Sequence, residues 1–156
     1  AQDRAFAFAY PHLLADWRRA GAEVRPFSPL ADEPVPPADL IYLPGGYPEL
    51  HAARLAAAST FMQSLKTASQ STLIYGECGG YMTLGDRLTD AGGRVHRMAG
   101  LLALDTSFAS RRLHLGYRHA IARGGPFPGT WTAHEFHYAT TLRAEGPPLF
   151  TATDAE

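Results

Sequence analysis

Tyr75-Gly76-Glu77-Cys78-Gly79-Gly80-Tyr81-Met82 places the sole cysteine of the chain between an apolar run and a helix-forming one. Leu73, Ile74 and Tyr75 read as a short buried strand, and Gly76, Gly79 and Gly80 permit a tight, strained turn with close backbone approach. Residues 81–84 open a helix whose first amides and dipole would favour a thiolate and a developing oxyanion. A nucleophile at the tip of a strand-turn-helix unit is the elbow geometry of hydrolases, here with cysteine in place of serine. A lone cysteine is ordinarily a small packed hydrophobe. The glycines on both sides shift the reading of Cys78 to a nucleophile.

A second strand-end turn lies in Leu40-Ile41-Tyr42-Leu43-Pro44-Gly45-Gly46-Tyr47-Pro48-Glu49. In a parallel sheet, ligands collect outside the carboxyl ends of the strands, so the two glycine turns should converge on one cleft. The amides of Gly45, Gly46 and Gly79 are therefore candidate oxyanion donors. Tyr47 and Glu49 are candidates for shaping a ligand pocket. In the alternative reading Tyr47 packs and Glu49 starts the next helix near its positive end.

The rest of the chain reads as strand-helix units. Apolar residues 6–10 form a short strand, and Pro11 opens a helix that carries Leu13, Leu14, Trp17 and Ala20 on one face and ends at Gly21. Residues 23–27 suit a strand, and helical spacing predicts one helix over about 50–69, with Leu55, Ala58, Phe61, Met62 and Leu65 inward. Beyond Gly85 the pattern changes. Residues 90–94 predict a hairpin turn, and 113–121 and 130–138 predict paired antiparallel strands joined by the loop 124–129. The expectation is an α/β fold with a flavodoxin-like, mostly parallel sheet, helices on both faces, and an antiparallel extension near the C-terminus.

Six blocks in this order resemble the class I, triad-type glutamine amidotransferases, in the branch of cobyrinic or hydrogenobyrinic acid a,c-diamide synthases. They are residues 5–11, 27–32, 42–50, 76–82, 113–117 and His134-Glu135-Phe136-His137-Tyr138. The resemblance implies that Cys78 attacks the side-chain amide of glutamine. It also implies a preceding synthetase domain that uses ATP and Mg2+ to activate two corrin carboxylates and receives the ammonia. No phosphate-binding Gly-x-x-x-x-Gly-Lys-Ser/Thr loop is found in these 156 residues, so no cofactor is expected in this chain itself. Residues 1–156 are then expected to be a glutaminase fragment, with the synthetase domain and the carboxyl end of the glutaminase domain lying outside it. The resemblance takes the catalytic histidine from a later segment, after Glu156, and leaves His134, Glu135 and His137 as a candidate secondary site. Exposed sheet edge in such a fragment predicts marginal stability or self-association.

Composition fits one globular domain: 46% of residues are hydrophobic and 19% charged, enough for a single core. A formal charge of −1, with scattered lysines and arginines, gives no basis for nucleic acid or acidic membrane as partner. One cysteine excludes an internal disulfide framework, and no apolar run is long enough to cross a bilayer; a cytoplasmic setting is expected. In a strand, His134 and His137 face opposite sides, because a separation of three does not match period two. Sequence spacing offers no metal-ligand set, and none is expected. Two other readings stay open: a cysteine hydrolase or peptidase of the same fold, and a non-catalytic binding module.

Overall fold

The computed structural model describes residues 1–155. Helix α1 (Pro11–Arg19) begins with Pro11 in its first turn, and Gly21, at φ +91°, lets the chain reverse behind it. Strand β1 (Leu40–Leu43) pairs in parallel with β2 (Leu73–Gly76), with Leu43 opposite Gly76. Between them run α2 (Ala52–Ala57) and α3 (Ser59–Ala68). Helix α4 (Gly79–Leu84) follows β2 directly. The second half holds β3 (Arg87–Thr89), β4 (Val95–Arg97), β5 (Ala103–Ser107), β6 (His114–Ala122), β7 (Gly129–His137), β8 (Thr140–Glu145) and β9 (Thr151–Asp154).

The class is α/β, but the mostly parallel sheet does not form. Among the described residues there are three sheets, ordered β1-β2, β4-β3-β5-β8 and β7-β6-β9. Only the β1-β2 and β3-β5 pairings are parallel. The reason is connection length. A parallel pair needs a crossover of a dozen or more residues, which α2 and α3 supply between β1 and β2. Beyond Gly85, short turns instead join the antiparallel pairs β3-β4 and β6-β7, while β5-β8 and β6-β9 pair antiparallel across longer connections. The turn at 90–94 forms as expected: Asp90 Oδ1 accepts from Gly92 N at 2.9 Å and Arg94 N at 3.0 Å, and Gly93 takes φ +78°. The expected 113–121 and 130–138 pair is β6 with β7, and residues 124–129 lie at its turn.

Two other expectations change. Residues 6–10 and 23–27 form no regular strand; they make single backbone bonds, from Phe8 N to Gly45 O and from Gln2 N to Phe27 O, both 2.9 Å. Asp3 holds this region in loop form, accepting from Ala5 N, Ser28 Oγ and Leu30 N. The single helix over 50–69 is instead a 3-10 turn (Pro48–Leu50) followed by two α-helices broken at Ala58, whose ψ is 74°. The break is stabilised from a distance. Asp32 Oδ1 accepts from Phe61 N at 2.8 Å and so caps α3, a contact that local periodicity does not reveal.

The core gathers Phe6, Phe27, Ile41, Leu43, Leu55, Phe61, Leu65 and Leu88, tying the N-terminal loop to β1, α2, α3 and β3. Its tightest joint is between α4 and β1. A Cβ on Gly80 would sit 1.9 Å from the Leu43 carbonyl oxygen, so backbone lies directly on backbone there. Gly80→Ala is accordingly expected to cost about 3 kcal/mol or more in urea unfolding, because the clash is with main chain that cannot rotate away. A loss below about 1 kcal/mol would show that the joint is looser than described.

Candidate active site

Cys78 sits between β2 and α4 with φ +49° and ψ −109°. It and Asp32 are the only non-glycine residues with positive φ among the described residues. Such a backbone costs about 1–3 kcal/mol and persists only where surrounding contacts over-determine it. Those contacts are visible. Glu77 N donates to Leu43 O at 2.9 Å, Gly80 N to Glu77 O at 2.8 Å, and Met82 N to Cys78 O at 3.1 Å. Gly76 leaves room for the backbone of Gly80 and Tyr81, either of which a Cβ would meet at 2.8 Å.

The two glycine turns converge as expected. A Cβ on Gly45 would lie 3.3 Å from Cys78 Cβ, and one on Gly79 would lie 3.2 Å from Gly46 N. The Gly46 turn is itself fixed to the N-terminal loop, since a Cβ there would meet Ala5 O at 2.2 Å. Burial pushes the Cys78 thiol up, the backbone amide of Gly79 opposes this, the charges of Glu77 and Glu49 add to the rise, and the amide of Gly46 again favours the thiolate. Two backbone donors from different turns thus act on one sulfur. Donors so placed also suit a negative oxygen formed beside that sulfur.

Glu77 is held rather than solvated. Its Oε1 accepts from Tyr10 Oη at 2.9 Å and its Oε2 from Tyr42 Oη at 3.0 Å. Tyr42 in turn stacks on Tyr75, with centroids 6.0 Å apart. Burial, with the Glu77 contact adding to it, pushes Tyr10 up to about 12 and raises Tyr42 as well, so both hydroxyls stay protonated and donating at neutral pH. The sequence shows Glu77 but not these partners, because Tyr10 and Tyr42 reach it across long chain separations.

Tyr47 packs edge-to-face on Phe8 at 5.0 Å and remains half exposed. Glu49 stands in the 3-10 turn after it; burial raises its carboxyl, while its own backbone amide and Arg111 act the other way. The charge of Glu49 acts on Cys78, and that of the exposed Arg111 acts on Glu49. His134 and His137 do fall on opposite faces of β7: His134 is exposed beside Phe136, and His137 turns inward with Glu135. His137 is occupied by Glu135 Oε1 at 2.9 Å and Ala139 O at 3.0 Å. Among the described residues no imidazole is hydrogen-bonded to the Cys78 thiol. Two backbone amides favour its thiolate, and the charges of two carboxylates oppose it.

Cys78 thus stands at an elbow at the ends of two parallel strands, close to the glycine turn of the second strand, which is the geometry of a candidate nucleophile. The chain belongs to the CobB/CobQ-like glutamine amidotransferase domain family, whose description matches residues 1–156. It is similar to the hydrogenobyrinate a,c-diamide synthases of Rhodobacter capsulatus, 56% identical over 161 residues, and Brucella abortus, 58% identical over 159. That of Rhizobium meliloti is 56% identical over 160 residues. Each comparison covers 99% of this chain, which spans only 36–37% of the length of these relatives.

Two outcomes test the site's physics. Cys78→Gly is expected to be more stable than Cys78→Ala by about 1 kcal/mol, which is the relieved strain less glycine's greater unfolded-state entropy. Equal stability would mean that the positive φ carries no strain. Glu77→Gln, which removes a carboxylate beside the thiol, is expected to speed iodoacetamide alkylation of Cys78 several-fold at pH 8. A slower reaction would reverse the sign assigned to that charge.

Proposed function

We propose that this chain is the glutaminase domain of a corrin a,c-diamide synthase and releases ammonia from glutamine. The observation that carries the reading is Cys78 held at positive φ in the turn between β2 and α4, with the backbone amides of Gly79 and Gly46 favouring its thiolate. In the proposed reaction the Cys78 thiolate adds to the side-chain carbonyl carbon of glutamine, and the carbonyl oxygen becomes an oxyanion held by Gly46 and Gly79. Gly45 contributes close approach of the turn. The nitrogen takes a proton and leaves as ammonia, and water then hydrolyses the glutamyl thioester to glutamate and free thiol. Tyr47 and Glu49 border the glutamine pocket. Because the thiol is raised, the attack needs a proton acceptor, and His137, engaged by Glu135 and Ala139, is not placed for it. We assign that role to an imidazole from outside the β6-β7 hairpin.

The substrate side of the proposal draws on the relatives. A synthetase part of the same protein would use ATP and Mg2+ to activate the a and c carboxylates of the corrin, which then take up the ammonia. Support comes from the diamide synthase activity of the similar proteins and from the fraction of their length that this chain covers.

The test is covalent labelling by a diazoketone analogue of glutamine, read by intact mass. A single adduct at Cys78, suppressed by excess glutamine and absent from a folded Cys78→Ala variant, is the expected result. Alkylation of Cys78 by iodoacetamide without labelling by the analogue would sink the glutamine reading, as would hydrolysis of peptides with no release of ammonia from glutamine.

A further inference from the structure

Strand pairing assembles a second group that sequence spacing hides. His114 on β6 stands directly opposite His137 on β7, and Glu135 lies two residues before His137 on the same face. The two imidazoles stack with centroids 4.6 Å apart and planes 13° from parallel. One ligand atom from each of His114, Glu135 and His137 can be chosen so that all three lie within 4.8 Å of one another, and all three residues are half-buried.

The hydrogen bonding of His137 is unbalanced. Its Nδ1 faces the Ala139 carbonyl at 3.0 Å and its Nε2 faces Glu135 Oε1 at 2.9 Å. Both partners are acceptors, but a neutral imidazole has one N–H. If Nδ1–H donates to Ala139, a lone pair on Nε2 points at a carboxylate oxygen, and a positive charge has to lie between them. A proton there would satisfy His137 and Glu135 yet leave His114 unused, and the His114 imidazole has no hydrogen bond among the described residues. A metal ion would use all three.

We propose that His114, Glu135 and His137 form a binding site for a divalent first-row transition ion of the Zn2+ type. Two imidazoles and a carboxylate match the borderline ligand preference of Zn2+ or Co2+ better than the all-oxygen preference of Mg2+ or Ca2+. The supporting shell is in place: the Ala139 carbonyl orients His137 with Nε2 forward, and Arg118 holds Glu135 Oε2 so that Oε1 is turned to the group. Arg118 is itself steadied by Asp154 on β9, at 2.9 Å. Three protein ligands leave a tetrahedral ion one open position, and a modest inward rotation of the rings would bring ligands to the roughly 2.0–2.2 Å that Zn2+ requires. The ion would fasten the open end of the β6-β7 hairpin, away from the 124–129 turn.

Cobalt titration tests the site. The full-length protein carrying Cys78→Ser, which removes the thiol of this chain as a competing ligand, is titrated with Co2+ and followed by visible absorption. Intense bands of a four-coordinate ion, abolished by about one equivalent of Zn2+, are expected. His114→Phe keeps a flat ring against His137 but removes a ligand, and is expected to weaken binding at least about a hundredfold, more than loss of a merely supporting contact. Glu135→Gln gives an independent readout, with the same loss expected, should the Phe variant fail the circular-dichroism check of folding. Unchanged Co2+ affinity in the folded variants, or no such bands in the parent, would overturn the metal site and leave a proton as the charge between His137 and Glu135.

Discussion

Helix α4 meets strand β1 main chain to main chain, with Gly80 lying on the Leu43 carbonyl, and the placement of the other active-site parts depends on that contact. Any side chain at Gly80 would lift α4 away from the sheet, and the hydrogen bond from Glu77 to Leu43 O would be lost with it. Cys78 lies between these two fixed points, which explains why it accepts a backbone conformation that it would avoid in a free chain. The glycine amides that flank the thiol come from the same constraint. Gly79 begins α4, and Gly46 follows the strand on which α4 rests.

The electrostatics of the site are divided between carboxylates that resist ionisation of the thiol and amides that favour it. Glu77 is tied to two tyrosines and therefore serves as a brace between β2, β1 and the segment before α1. The balance leaves Cys78 a resting thiol, raised chiefly by burial. A thiol so placed reacts as a nucleophile only when a base takes its proton.

How much of this could be read from residues alone follows physical lines. Local signals were legible: the glycine bracket around Cys78, the Pro-Gly-Gly turn, the start of α1 at Pro11 and the Asp90 turn are each encoded within a few neighbouring residues, and the β6-β7 hairpin within one contiguous stretch. What depended on distant partners was not. Phe61 near the break at Ala58 is capped by Asp32, and the segment at Ser28 and Leu30 is tied to Asp3, each across more than twenty residues. The first half repeats strand and helix and so reads as a mostly parallel sheet, whereas the second half pairs largely antiparallel, through two short turns and through strands that meet across longer connections. His114 and His137 meet only through strand register, and register is fixed by the whole hairpin.

The glycine joint also has a consequence for the mobility of the nucleophile. Side-chain packing allows rotamer hopping, and a reactive atom supported by it inherits that motion. Around Cys78 the supports at positions 46, 76, 79 and 80 have no rotamers at all. The sulfur retains its own single side-chain torsion and little else, so its positional entropy is largely spent when the chain folds, before any substrate arrives.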